Sequence, residues 1–290
     1  MKVRTFFFSA MVAVAPLMMT SCDSNDDDNS GSQSAPVDVT KVVGEYQGYT
    51  LANSNYFQDY FTPNESVSIT KNEDNTVKVV LTSNTWGTST ISVASVYYDG
   101  SRYTVNGNGT CVMQGMGGAE RTYDCSLTAD IASTADATVS VSLPAVMGGS
   151  TIVFKPGRGS TGYYVADNYR GDIAVSVAGE NYLTLNDTVV RLKGEPADKV
   201  SITIPEVGMQ MGPQTITIPA TTFQGISVTT TDYTNFIIPE QQVSITVGTT
   251  NYSGTLTGNV TDGVLALTYN LTPGAMPMPI TFTFTQSAKK

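Results

Sequence analysis

Gly44-Glu45-Tyr46-Gln47-Gly48 and, 123 positions further on, Asp167-Asn168-Tyr169-Arg170-Gly171 are two versions of one five-residue phrase, and their recurrence decides how the chain is organised. The same offset carries Val67 onto Val190 and Val77 onto Val200, and it drifts to 125 for Ile91 onto Ile216 and 129 for Leu127 onto Leu256. A small drift in one direction is what a duplicated unit with a few residues inserted in its loops produces. The expected domains are 40–157 and 164–287, with a hinge over 158–163. Gly157, Gly159 and Gly162 satisfy the spacing GxGxxG. No helical pattern follows them, so they are read as part of the hinge and not as a dinucleotide site.

Inside each unit the apolar residues alternate. Val67 and Ile69, Val77, Val79 and Leu81, then Val139, Val141 and Leu143 do so in the first; Val200, Ile202 and Ile204, then Ile280, Phe282 and Phe284 do so in the second. Period two between turn signals such as Asp99-Gly100 and Asp262-Gly263 predicts short antiparallel strands with one buried face. Roughly eight such strands in about 120 residues suit a small closed barrel or a sandwich. Closure also removes the edge strands that an exposed protein would present for pairing. Charged residues are only 14% of the chain, in keeping with neutral polar outer faces.

These residues carry a resemblance to the calycin-like β-barrel lipoproteins of Bacteroides-type bacteria. In that family a Gly-x-Tyr-x-Gly strand opens the domain and a Pro-Gly-x-Met-x-x-x-Ile-x-Phe strand closes it. The opening matches are Gly44, Tyr46 and Gly48, then Tyr169 and Gly171; the closing matches are Met147, Ile152 and Phe154, then Pro273, Gly274, Met276, Ile280 and Phe282. The resemblance implies an all-β protein of two tandem antiparallel, lipocalin-like barrels of about eight strands each. A calycin fold further implies a cup able to hold an apolar ligand.

The N-terminus reads as an address. Lys2 and Arg4 precede an apolar run from Phe6 to Met19, too short to span a bilayer stably. Met19-Thr20-Ser21-Cys22 resembles a lipoprotein lipobox, so residues 1–21 are expected to be a signal peptide and Cys22 the acylated first residue of the mature chain. Residues 22–39 form an acidic, flexible tether, since Asp23, Asp26, Asp27 and Asp28 with the Ser/Gly/Gln stretch that follows cannot bury apolar surface. The acidic run resembles the export signal that sends lipoproteins of this bacterial group to the outer face of the outer membrane. The expected partner is therefore that membrane, reached through the lipid anchor.

Composition narrows the function. A formal charge of -10 argues against nucleic-acid binding. Histidine is absent, which removes imidazole metal sites and the Ser-His-Asp and Cys-His triads together. Glu45, Asp59 and Glu65 are carboxylates with no spacing that singles out a pair. No catalytic residue, metal or cofactor is expected. With Cys22 acylated, Cys111 and Cys125 remain, and a hairpin centred on Gly118 would set them opposite each other as a disulfide contributing about 3 kcal/mol.

Met113, Met116 and Met147 lie in Gly-rich turns of the first unit, and Met209, Met211, Met276 and Met278 in Gly/Pro-rich turns of the second. Flexible thioethers there either plug the barrel ends or line an adaptable mouth. Tyr46, Tyr49, Tyr56, Phe57, Tyr60 and Phe61 crowd one stretch, with Trp86 further on; such rings pack a core or stack on sugars. The expected function is that of a surface protein binding a small apolar molecule or a glycan through a barrel mouth. The alternative is a structural or adhesive protein whose barrels are filled by their own side chains. Asp187-Thr188-Val189 resembles the O-glycosylation acceptor of the same bacterial group, which would place a glycan on Thr188.

Overall fold

A computed structural model of the chain describes residues 37–115, 117–211, 213–274 and 278–287. Cys22, the tether as far as Pro36, Met116 and Met276 lie outside the described residues. The first eight strands are β1 (Gly44–Asn53), β2 (Tyr60–Lys71), β3 (Val77–Ser83), β4 (Gly87–Tyr98), β5 (Tyr103–Gln114), β6 (Glu120–Ser133), β7 (Asp136–Leu143) and β8 (Ser150–Pro156). They run as an antiparallel meander that closes on itself when β8 pairs with β1. The alternation read from the sequence is the burial pattern of the strands: Val77, Val79 and Leu81 are buried, as are Val139, Val141 and Leu143.

The opening phrase has a mechanical meaning. Tyr46 is buried, and its hydroxyl donates to the Val42 carbonyl at 2.7 Å, tying the barrel to a 3-10 turn at Val39–Lys41 that covers its lower end. Gly48 sits at the closing seam, opposite Pro156. A Cβ there would lie 2.0 Å from the Lys155 carbonyl oxygen and 2.8 Å from the Phe154 ring tip, so only glycine lets the two strands meet.

The second barrel repeats this plan. A short helix, α1 (Thr161–Tyr164), precedes β9 (Asp167–Val177), and the Tyr169 hydroxyl donates to Val165 O at 2.9 Å. Gly171 again marks the seam, where a Cβ would stand 2.2 Å from the Thr285 carbonyl oxygen and 2.9 Å from the Phe284 ring. The seam register, Gly48 on Pro156 and Gly171 on Gln286, makes Phe284 the counterpart of Phe154 and Phe282 that of Ile152. This moves the expected closing match of Ile280 and Phe282 along by two residues, a shift that leaves the buried face unchanged.

The remaining strands are β10 (Glu180–Glu195), β11 (Lys199–Ile204), β12 (Val207–Met211), β13 (Gln214–Ile218), β14 (Thr221–Ser227), β15 (Thr229–Thr230), β16 (Asn235–Val247), β17 (Thr250–Thr261), β18 (Val264–Pro273) and β19 (Ile280–Gln286). Nine form one sheet in the order β14-β11-β10-β9-β19-β18-β17-β16-β15. The β12–β13 hairpin is an insertion between the equivalents of β3 and β4. Val79 pairs with Ile91 and Ile202 with Phe223, so Phe223 is the counterpart of Ile91 and Ile216 belongs to the inserted hairpin. The sheet is open between β14 and β16, and one side chain bridges the opening. The Gln241 amide accepts from Ser227 N at 2.8 Å and donates to Ser227 O at 3.1 Å, in the manner of a ladder rung.

The end of the segment 158–163 is tied to the second barrel: Ser160 caps α1, Thr161 N donates to the Asp198 carboxylate at 2.8 Å, and Thr161 Oγ1 donates to Val228 O at 2.8 Å. One further expectation changes. Cys111 and Cys125 are buried free thiols, not a disulfide. The β5–β6 hairpin centres on Gly117, one residue earlier than expected, which pairs Cys111 with Tyr123 and Cys125 with Gly109. A diagonal offset of two residues separates the positions by roughly 7 Å, beyond disulfide geometry.

Candidate functional site

The inward faces of both barrels are largely occupied by their own side chains. Tyr46, Phe154, Ile69 and Leu81 fill the first, and Tyr269 and Phe282, stacked at 4.4 Å between ring centroids, fill the second. Four of the methionines expected at the barrel mouths have described side chains, and these four do not share one setting. Met113 packs against the first core, Met147 is half exposed in a turn at φ 48°, Met209 on the inserted hairpin is buried against the second core and Met278 is exposed. Met211 lies on β12. Thr188 Oγ1 is already engaged, donating to Gly171 O at 3.0 Å, so the Asp187-Thr188 bulge braces the second seam.

The aromatic candidates do assemble, outside the barrels. Loop 54–59 and the start of β2 lean toward the second domain and form one wall of a cleft of about 750 Å³. Tyr56 is 79% and Tyr60 48% exposed. Both follow from loop chemistry: Asp59 takes φ 53° and its amide is held by the Asn53 carboxamide at 2.9 Å, which turns the chain outward before β2 begins. Behind these rings Phe57 and Trp86 pack at 5.5 Å, and Tyr60 meets Trp86 edge-on at 5.8 Å. Trp86, a predicted ligand contact, is thus the buried support of the wall. Tyr46 plays no part in it.

The opposite wall is Arg191, Lys193 and Gly194 on the lower end of β10, with Asp167 and Asn168 beside them. Arg191 Nε donates to the Asn168 carboxamide at 2.8 Å, which fixes the guanidinium. Lys193 faces Asp59 across the cleft at 3.8 Å, a weak exposed pair. Arg191 and Lys193 are outward positions of a strand whose Val190 and Leu192 are buried, so in the sequence they look like any solvated strand face. The cleft floor is the domain junction, where Tyr49, Phe61 and Tyr163 pack at 5.5 to 6.3 Å and Phe61 also meets Tyr164 at 4.7 Å. Tyr49, another predicted contact, belongs to this junction, and burial pushes its phenol up from the ordinary value.

Exposed rings on a braced support, facing guanidinium, ammonium and carboxamide groups, can stack on sugar faces while hydrogen-bonding hydroxyls. For acid–base chemistry on a glycosidic bond, two carboxylates must flank it. The cleft carries Asp59, which faces Lys193, and on the opposite wall Asp167, which accepts from Asn168 N at 2.7 Å. Among the described residues no cluster of His, Cys, Asp and Glu is placed to hold a metal ion.

Comparison with known proteins agrees with this architecture. The family model described as "Calycin-like beta-barrel domain" matches residues 42–155 and again 165–286. A solved structure from Bacteroides fragilis NCTC 9343, described as that of a "putative outer membrane protein", superposes with a TM-score of 0.70 at 28% identity, covering 86% of this chain and 98% of that one. No protein of curated function matches.

Proposed function

The chain belongs to the calycin-like β-barrel family, and on that premise we propose that it is a non-catalytic, lipid-anchored protein of the outer membrane, facing the cell exterior, that binds a glycan between its two barrels. The observation that carries the binding is the pair of exposed rings, Tyr56 and Tyr60, the second of them packed on Phe57 and Trp86, opposite Arg191 and Lys193. A large exposed aromatic surface costs solvation unless a partner covers it, and sugar faces are apolar enough to do so. The membrane location draws on the Bacteroides fragilis relative and on the lipobox-like sequence ending at Cys22.

A glycan array probed with the full chain tests the binding. Tyr56→Ala and Tyr60→Ala are each expected to weaken the strongest signal by about tenfold, since one stacked ring contributes on the order of 1 kcal/mol or more. A chain that binds no glycan above background, or one indifferent to both substitutions, points instead to a structural surface protein with filled barrels. The anchor is tested separately: Cys22→Ala should move the protein from the envelope pellet to the soluble fraction.

A further inference from the structure

The first barrel is apolar at its lower end, and at the other end polar side chains gather on the side formed by β1 to β4. From Gly48 toward the β1–β2 loop the inward positions change to Thr50 on β1, Thr62 and Glu65 on β2, Ser83 on β3 and Ser89 on β4. These are neighbours by register: Thr50 lies opposite Thr62, Glu65 opposite Gly48, and Leu81 and Ser83 lead into the turn that carries Trp86 back to Ser89. The turn joins the group chemically. Asn84 N donates to Glu65 Oε1 at 3.2 Å, and Trp86 N donates to Ser83 Oγ at 2.9 Å.

This polar end is unsatisfied. Thr50 Oγ1, Thr62 Oγ1, Glu65 Oε2, Trp86 Nε1 and Ser89 Oγ are buried with no hydrogen-bond partner among the described residues. Glu65 is 1% exposed and forms no salt bridge among them. A buried carboxylate without a counter-charge is costly, and each buried unpaired donor or acceptor adds to the cost. The second barrel has no counterpart, its one such atom among the described residues being Tyr269 Oη. The defect is therefore particular to one copy of a duplicated unit.

Its chemistry specifies an occupant. One carboxylate calls for one positive charge, and two hydroxyl oxygens beside it complete the acceptors for an ammonium group. A hard divalent ion would need six or more oxygens and more negative charge than Glu65 supplies. A bare monovalent ion would leave the Trp86 indole N–H without an acceptor, so the guest must also carry an oxygen. We propose that the polar end of the first barrel binds a small organic ammonium ion bearing a hydroxyl group, the ammonium on Glu65, Thr50 and Thr62 and the hydroxyl oxygen accepting from Trp86 Nε1. Phe57 and Tyr60 lie over Trp86 and also line the cleft, so the guest enters by displacing that aromatic stack.

Trp86 is the only tryptophan of the chain, so its fluorescence reports the site directly. The full chain is titrated at about pH 8 with ethanolamine, and in parallel with ethylene glycol and with potassium chloride at matched ionic strength. A saturable emission change with ethanolamine alone is expected, weakened about tenfold in Glu65→Gln and several-fold in Thr62→Val, which keeps the test open if one variant misfolds. A flat titration overturns the proposal. So does an equal response to either control, or an undiminished one in folded Glu65→Gln; each would leave ordered water as the partner of these atoms.

Discussion

At the scale of single residues, Gly48 shows how one hydrogen decides a fold. The Cβ of an alanine there would collide with the Lys155 backbone, which cannot move without opening the seam. Gly48→Ala is expected to lose about 3 kcal/mol in urea denaturation, whereas Gly208→Ala, with no atom within 4 Å of its added methyl, should stay within about 0.5 kcal/mol of the parent. Glu65 makes a prediction in pH. Burial raises its carboxyl in the folded state, partly offset by the Ser83 hydroxyl and the Asn84 amide. The folded chain then holds the proton to a higher pH than the unfolded chain does. Glu65 is therefore neutral to stability below the unfolded value of about 4.3 and destabilising as pH rises beyond it. Without ligand, Glu65→Gln should melt higher than the parent at pH 8 and approach it near pH 4; a gap that widens toward acid would contradict this. The opening phrase was legible in the sequence because its tyrosine and glycine act locally. The cysteine pairing was not, because it turned on whether a glycine-rich turn centres on Gly117 or Gly118, and burial pushes the Cys125 thiol up to about 11, leaving both as inert core groups.

Among the elements, the strands themselves were the most readable part, since period two records which face is buried. Their equivalence between repeats was harder. Ile216 alternates like a barrel strand, with Thr215 and Thr217 either side, yet it lies in a hairpin that pairs only within itself. Period alone cannot tell a strand that joins the main sheet from one that folds over it. The opening between β14 and β16 is likewise invisible in the pattern, because what bridges it is one glutamine. Gln241→Ala removes both of its bonds to the Ser227 backbone and should cost about 2 kcal/mol. Hydrogen exchange at the Ser227 amide should accelerate in that variant, with amides at the first barrel's seam unchanged; uniform acceleration would mean that the side chain is not a local bridge.

Taken whole, the molecule joins two barrels through a chain of rings. Phe61 contacts Tyr49, Tyr163 and Tyr164, and Tyr164 continues to Tyr233 and Phe236 in the second barrel, with the Arg158 guanidinium 4.8 Å above Tyr233. Phe61→Ala is expected to remove about 2 kcal/mol of this coupling and to split one calorimetric transition into two. A single transition merely shifted downward would show that the barrels unfold together for another reason. Half of the cleft could be found in the sequence, as the crowded rings from Tyr56 to Phe61. The other half could not, because Arg191 and Lys193 stand 130 and more positions after those rings and become functional only through how the domains dock.

The turn at Val39–Lys41 and helix α1 are equivalent lids, each held to its barrel by a tyrosine four residues beyond its last anchor. The repeating piece in this chain is therefore lid plus barrel, and the segment between the repeats holds the second barrel's counterpart of the first barrel's lid. A gene fusion or truncation cut at Asp167, where the strand begins, would separate a barrel from its own lid. A cut before Gly159 would keep them together, and that is where recombination should have been tolerated.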